Sequence, residues 1–510
     1  MWISVSHTAV ARIPIASASL ASAAVARIGT ITSAPSAWTT HYENVLGTSM
    51  QVTILATSQI QAAQIEAALL AVIDHHDRIL SAWRPDSELN RWLATRSNPE
   101  KISPELFEVL GLFDQWHDRT GGAIDASAAA AIHIWQTAAN ESRQPTAAEI
   151  GAAVDAMQQV HWRLDAAQQT ATRLSATPLV LASFTKSYIA DRAVDAALTA
   201  GASGVMLNLG GDIVVRGDIT QIVKLADPAA HSENDAALDL LAVRDRSVAT
   251  SGSYRRGFSL TSQTSSSQFS HIMDPRTALP VGHIASSTVI SHDPATAGAL
   301  ATAFSILHPE KTRLLAANMP STEYLLVTRD GERIASDGWS GFQISQAKKR
   351  PAPALPDTWN QSYELAINLE VAPQSGPRSH RPYIAVWIED EHHESVRTIA
   401  LWFDKMRYLH ELRDWTHDNQ MRVSVGHSDI SQTIGSATRS AGQYSLKFDG
   451  KDDEGKLLKP GKYTVCIEAA REHGGTQIIR QEIDFNGAPQ HQAIPAGAEL
   501  GPVTLDYRKQ

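Results

Sequence analysis

A basic, proline-rich run, Lys348-Lys349-Arg350-Pro351-Ala352-Pro353-Ala354-Leu355-Pro356, most constrains what this chain can fold into. Each proline fixes φ and removes a backbone donor, so neither a helix nor an interior strand crosses such a run. It reads as a stiff linker. The 510 residues exceed a typical domain of ~150 residues severalfold, which agrees with a division at this point. The expected organisation is a leader over 1–40, an α+β domain over 41–343, a linker over 344–360 and a β-sandwich over 361–510.

Before the linker, helical and strand patterns mix. Ile65, Leu69, Val72, Ile73 and Leu80 recur on one helical face. Ser103 and Pro104 open a second helix that turns Leu106, Leu110 and Phe113 inward and stops at Gly121-Gly122. Val205 to Leu209 alternates as a half-buried strand, breaks at Gly210-Gly211-Asp212 and resumes at Ile213. Asp293-Pro294 starts a helix with Leu300, Phe304 and Leu307 as its apolar stripe. After the linker the pattern is strands, at Tyr363 to Leu369, Tyr383 to Ile388, Thr398 to Trp402, Tyr444 to Phe448 and Tyr463 to Glu468, as in a sandwich.

The charge balance excludes some partners. With 44 basic and 54 acidic residues the net charge is −10, which gives no positive field for nucleic acid or anionic lipid. One cysteine, Cys466, leaves no disulfide, thiolate zinc site or CxxC pair, so a metal must be held by oxygen or imidazole. No apolar run is long enough for a transmembrane helix. In the first forty residues Arg12 precedes Ile13-Pro14-Ile15 and the small-residue stretch Ala21-Ser22-Ala23-Ala24-Val25-Ala26. That composition reads as a secretory signal, with an unstructured cytoplasmic leader as the alternative.

The phosphate-loop, dinucleotide, zinc-protease and nucleophile-elbow signatures are missing from the sequence. Present instead are Gly47-Thr48, Trp83 to Leu89, Thr120-Gly121-Gly122-Ala123-Ile124-Asp125, Lys186-Ser187-Tyr188, Asn208-Leu209-Gly210-Gly211-Asp212, Thr250-Ser251-Gly252 and His271-Ile272-Met273-Asp274-Pro275-Arg276-Thr277. Singly these are turns and loops. In this order and spacing, from about Gly47 to Leu307, they resemble the ApbE family, the FAD:protein FMN transferases.

The resemblance implies an ApbE-like, T-fold-like α+β domain that cleaves FAD with Mg²⁺ and releases AMP. It would attach FMN through a phosphoester to a Thr or Ser of an acceptor redox protein. It also implies roles for named residues. His271 would be the base, and Leu46, Trp83, Ala123, Ile124, Asp125 and Lys186 would line the flavin-nucleotide site. Ser183 and Thr302 would face the metal. An exported or membrane-associated acceptor, in the periplasm or cell envelope, fits the leader.

Departures bear on activity. The family's magnesium helix reads Ala-Asp-x-x-Ala-Thr, whereas this chain has Ala297-Gly298-Ala299-Leu300-Ala301-Thr302. Asp293 would have to be repositioned to replace the missing acid. Ser187 stands for a glycine of the lysine motif, Val180 for an acidic FAD contact, Ser253 for an aspartate and Ala278 for a turn glycine. A second reading is therefore a homologue that binds flavin without transferring it. The C-terminal half resembles an uncharacterised β-sandwich extension that follows some ApbE domains, chiefly at Arg381 to Asp390. Ile434 to Arg439 loosely resembles an acceptor sequence but is read as a structural loop, and His392-His393-Glu394 as a solvated hairpin.

Overall fold

The computed structural model describes residues 34–230, 232–252, 257–261, 266–344, 358–372, 381–404, 406–424, 430–471 and 474–510. Residues 1–33 of the expected leader, 345–357 of the linker and Ser253 lie outside this set. The described residues from Pro35 onward form one compact unit.

Eight antiparallel strands form the central sheet, and they neighbour one another in chain order. They are β1 (Ser36–Val45), β2 (Thr48–Ala56), β3 (Gly204–Leu209), β4 (Asp212–Gly217), β5 (Arg246–Gly252), β6 (Ile284–Ser291), β7 (Glu323–Thr328) and β8 (Arg333–Ala335). The first strand enters the stretch expected as leader. Ser36 through Tyr42 pair residue for residue with β2, and that pairing orders a segment whose own sequence carries little apolar signal.

Four helices matter for the site: α1 (Gln59–Leu80), α2 (Pro104–Thr120), α3 (Thr185–Thr199) and α4 (Pro294–Ile306). Ser103 and Gly121 bound α2 as expected, and Ser58 caps α1 in the same way. Ser58 and Ser103 accept from backbone amides of the first turn, and Gly121 ends α2 in the left-handed conformation at φ 58°. Ile65, Leu69, Leu106, Phe113, Leu300 and Phe304 join the sheet's apolar residues in one core on the helical face.

The strand over Val205 to Leu209 is buried on both faces rather than half-buried. Val205, Leu207 and Leu209 face the helices, whereas Met206 joins a second core with Val223, Leu241 and Trp339. That core is closed by the hairpin of Gln221–Leu225 with Asp239–Val243, which covers the sheet's other face.

The C-terminal part is the expected sandwich. One sheet has the order Gly442–Phe448, Tyr363–Val371, Leu500–Lys509, Gln490–Ile494, and the other runs from Gly435–Ser436 through Ser395–Trp402, Tyr383–Glu389 and Lys462–Ala470 to Thr476–Asp484. Cys466 is buried on a strand. His392 and His393 sit at an exposed hairpin turn, and Thr438 is buried in its loop.

The edge strand Gly442–Phe448 is covered by the hairpin loop of the first domain. Glu233 donates its N–H to Ser445 O at 2.7 Å, and Asn234 exchanges two 2.7 Å hydrogen bonds with the Lys447 backbone. An edge that would otherwise offer free pairing groups is thereby closed.

Candidate active site

The strongest convergence lies where α3 and α4 cross on the helical face of the sheet. Thr302, in the interior of α4, has its hydroxyl 3.3 Å from Ser183 O, 3.2 Å from Gly298 O and 3.3 Å from Ser251 Oγ. Ser183 lies just before α3, and Ser251 near the end of β5. Four oxygens from three separate segments thus meet, a donor set suited to a hard cation. A fifth stands beside them: Ser287, fully buried, pairs with Ser251 across β5 and β6, and its hydroxyl has no partner among the described residues. Ser183 and Thr302 are therefore together.

Asp293 is not part of this group. Its carboxylate accepts from Thr296 N at 2.6 Å as the N-cap of α4. Nine residues of helix, at about 1.5 Å each, separate it from Thr302. Among the described residues no three acidic, imidazole or thiol groups gather as a metal site.

Lys186, in the first turn of α3, is half exposed, with Nζ 3.8 Å from Asp212 Oδ2. Ser187 Oγ donates to that same oxygen at 3.0 Å. Asp212 opens β4, after a turn in which Asn208 Oδ1 accepts from Gly211 N at 3.0 Å. Gly210 in this turn has φ 65°, and a Cβ there would stand 2.3 Å from Thr48 Oγ1, so only glycine lets the turn pack against the start of β2. Burial pushes the Asp212 carboxyl up, against the pull of Lys186 and Ser187.

Leu46 and Gly47 form the tight turn of the β1–β2 hairpin. Leu46 holds φ 50°, a left-handed conformation that costs a leucine roughly 1 kcal/mol. Trp83 is 86% exposed, so it is no core aromatic and presents its ring to solvent.

Ala123 and Ile124 are buried side chains of the main core, which leaves their backbone as the part that can meet a ligand. Asp125 borders a cavity of about 540 Å³ that is also lined by His117, Gly122, His161, Pro275 and Arg276. His117 Nδ1 lies 3.0 Å from Asp125 Oδ2, and Asp125 Oδ1 accepts from Ser127 N and Oγ. Burial alone would raise the Asp125 carboxyl, but the hydrogen bonds of His117 and Ser127 prevail and hold it low. The hydrogen bond to Asp125 raises His117, against burial.

His271 is half-buried at the bend between strand Ser266–Ser270 and the Asp274 turn. In that turn Asp274 holds Arg276 by two 2.7 Å bonds, and Ala278 N donates to Asp274 O at 2.8 Å. Ala278 adopts φ 55°, so it accepts a conformation for which glycine is the usual residue. Three participants escaped sequence reasoning. The sequence marks Ser187 only as a departure from the family motif, Asp212 only as part of a turn, and His117 not at all; the carboxylate ending the Gly-Gly turn is the available signal.

The sequence profile of the ApbE family matches residues 46–326. A second profile, described as "Predicted periplasmic protein (DUF2271)", matches residues 364–502. The FAD:protein FMN transferase of Klebsiella pneumoniae (strain 342) is 25% identical over 298 residues, covering 56% of this chain and 83% of that protein. The FAD:protein FMN transferase of Treponema pallidum (strain Nichols) is 27% identical over 319 residues, 58% of this chain and 86% of its own. The crystal structure of the ApbE protein from Thermotoga maritima superposes with a TM-score of 0.54 at 22% identity, covering 61% of this chain and 100% of that one, a likeness of fold. This is a flavin-transferase scaffold carrying a β-sandwich extension. The chain belongs to the ApbE family, as its motifs led us to expect.

Proposed function

We propose that this protein is an FAD:protein FMN transferase that works with Mg²⁺ on an acceptor redox protein outside the cytoplasm. The observation that carries the reading is the 3.3 Å approach of Thr302 Oγ1 to Ser183 O just before α3, the helix whose first turn bears Lys186. Family membership and the names of the two relatives support it. The description of the C-terminal match as periplasmic supports the location.

In this reading Ser183 O and Thr302 Oγ1 hold Mg²⁺, which when bound neutralises charge on the diphosphate oxygens. Lys186 places its ammonium against the same phosphates. His271 accepts the proton of the acceptor Thr or Ser hydroxyl as that oxygen bonds to the FMN phosphorus. The P–O bond to AMP breaks, and AMP leaves with the electron pair. Leu46, Trp83 and the segment Ala123-Ile124-Asp125 orient the nucleotide. A groove of about 1080 Å³ between the Gly47–Ser49 turn and the sandwich strands supports a steering role for the second domain toward the acceptor.

The test mixes purified protein, FAD, Mg²⁺ and an acceptor domain. Expected are a fluorescent covalent flavin band after denaturing electrophoresis and stoichiometric AMP. Retained FAD binding with neither product would refute transfer and leave the flavin-binding scaffold.

A further inference from the structure

The carboxylate absent from α4 has a counterpart one strand away. A Cβ built on Gly298 would stand 2.5 Å from Ser187 Oγ and 3.2 Å from Phe184 Cα. Ser187 therefore fills the space into which a side chain at 298 would project. Its hydroxyl hands the position on, by its 3.0 Å hydrogen bond, to Asp212 Oδ2.

Asp212 lies on the helical face of the sheet. It is two residues before Val214, which is in the helical core, and successive strand residues alternate faces. Ser251 shares that face with Ala249 of the same core. The Asp212 side chain is 14% exposed, and its second oxygen, Oδ1, makes no hydrogen bond among the described residues. The four oxygens around Thr302 are uncharged, and neutral oxygens alone hold a divalent cation weakly.

We propose that Asp212 supplies the charged oxygen of a divalent-cation site completed by Thr302 Oγ1 and Ser183 O, with Ser187 and Gly298 as the matched pair that lets it do so. The proposal rests on the transferase reading for the diphosphate the cation accompanies. Ser187 steers the carboxylate through Oδ2 and leaves Oδ1 for the ion. Lys186, paired with the same carboxylate, is released toward the phosphates as the cation takes over the negative charge.

The test is Mn²⁺ titrated into the full chain with FAD present, free Mn²⁺ being read by its paramagnetic resonance signal. Asp212→Asn should weaken Mn²⁺ binding by about tenfold or more. The triple variant Asp212→Asn, Ser187→Gly, Gly298→Asp should recover it, because removing Ser187 opens the space that an aspartate at 298 needs. Wild-type Mn²⁺ affinity in Asp212→Asn overturns the proposal, as does a wild-type chain that leaves Mn²⁺ free, or a triple variant that melts like the wild type without regaining the ion. If the triple variant does not fold, the Asp212→Asn result decides alone. The readout involves no flavin transfer. A working transferase whose Mn²⁺ affinity ignores Asp212 sinks this inference and spares the function; Asp212-dependent Mn²⁺ binding without a covalent flavin product does the reverse.

Discussion

Single residues already separate binding from chemistry. Trp83 is 86% exposed and its hydrogen bond to Ser81 Oγ comes from the backbone N–H, so Trp83→Ala should leave the melting temperature unchanged. FAD affinity, read by flavin fluorescence, should fall by roughly tenfold if the ring stacks on the nucleotide. His271→Ala should cut transfer by about a hundredfold or more while FAD still binds, the loss of a base rather than of a binding group. Some of this was legible in the sequence and some was not. His271, Lys186 and Thr302 could be named because their neighbours form recognisable strings. Ser187 could not be matched with Gly298, because a contact between residues so far apart in the chain leaves no trace in one sequence.

At the scale of elements, that pair fixes how closely two helices pack. A glycine in a helix interior ordinarily costs ~1 kcal/mol against alanine, so Gly298→Ala would be expected to stabilise. Here the added methyl meets Ser187 Oγ at 2.5 Å, and we expect a net loss of about 1–3 kcal/mol in denaturant unfolding. Adding Ser187→Gly should reduce that loss, a coupling a double-mutant cycle measures.

The sandwich has its own charged element. Trp387 Nε1 lies 3.0 Å from Glu389 Oε1 and 3.1 Å from Asp418 Oδ2, where helix α5 (Arg413–Ser424) covers the sheet. Burial, and then Glu389, push the Asp418 carboxyl up to about 6. The folded state thus binds this proton more tightly than the unfolded chain. Its contribution is complete below the ordinary carboxylate range and is lost as pH rises through about 6. Asp418→Asn should therefore stabilise the protein at pH 8, by on the order of 1 kcal/mol after allowance for partial solvent exposure, and have little effect at pH 4. Thermal melts across that range check it.

The whole molecule adds a junction that neither half encodes alone. His41 of β1 is buried and packs edge-on against Phe403 of the sandwich, with ring centroids 5.5 Å apart. Burial lowers its pKa to about 4. Its share of stability is complete above the ordinary histidine range and is lost as pH falls through about 4. Acidification from pH 7 to 4 should cost the wild type about 2 kcal/mol more than His41→Gln, the opposite sign to Asp418, as judged by urea unfolding at each pH. The division into an α+β part and a sandwich was readable from the proline run and the change of periodicity. The junction was not, since it depends on a strand histidine buried against the second domain, a loop asparagine and an edge strand whose sequences are ordinary by themselves.

The sheet's strands neighbour one another in chain order, yet β2 and β3 are separated by the whole of residues 57–203, including α1, α2 and α3. The β1–β2 hairpin can form within microseconds on its own, but its pairing with β3 must wait for that excursion to collapse. The loop-closure entropy itself grows slowly, by about 0.6 kcal/mol per doubling of length, so the delay is kinetic more than thermodynamic. During synthesis the hairpin that carries Leu46 and Gly47 emerges early and docks late, and the rim of the proposed flavin pocket is completed only once the chain beyond Leu209 has left the ribosome.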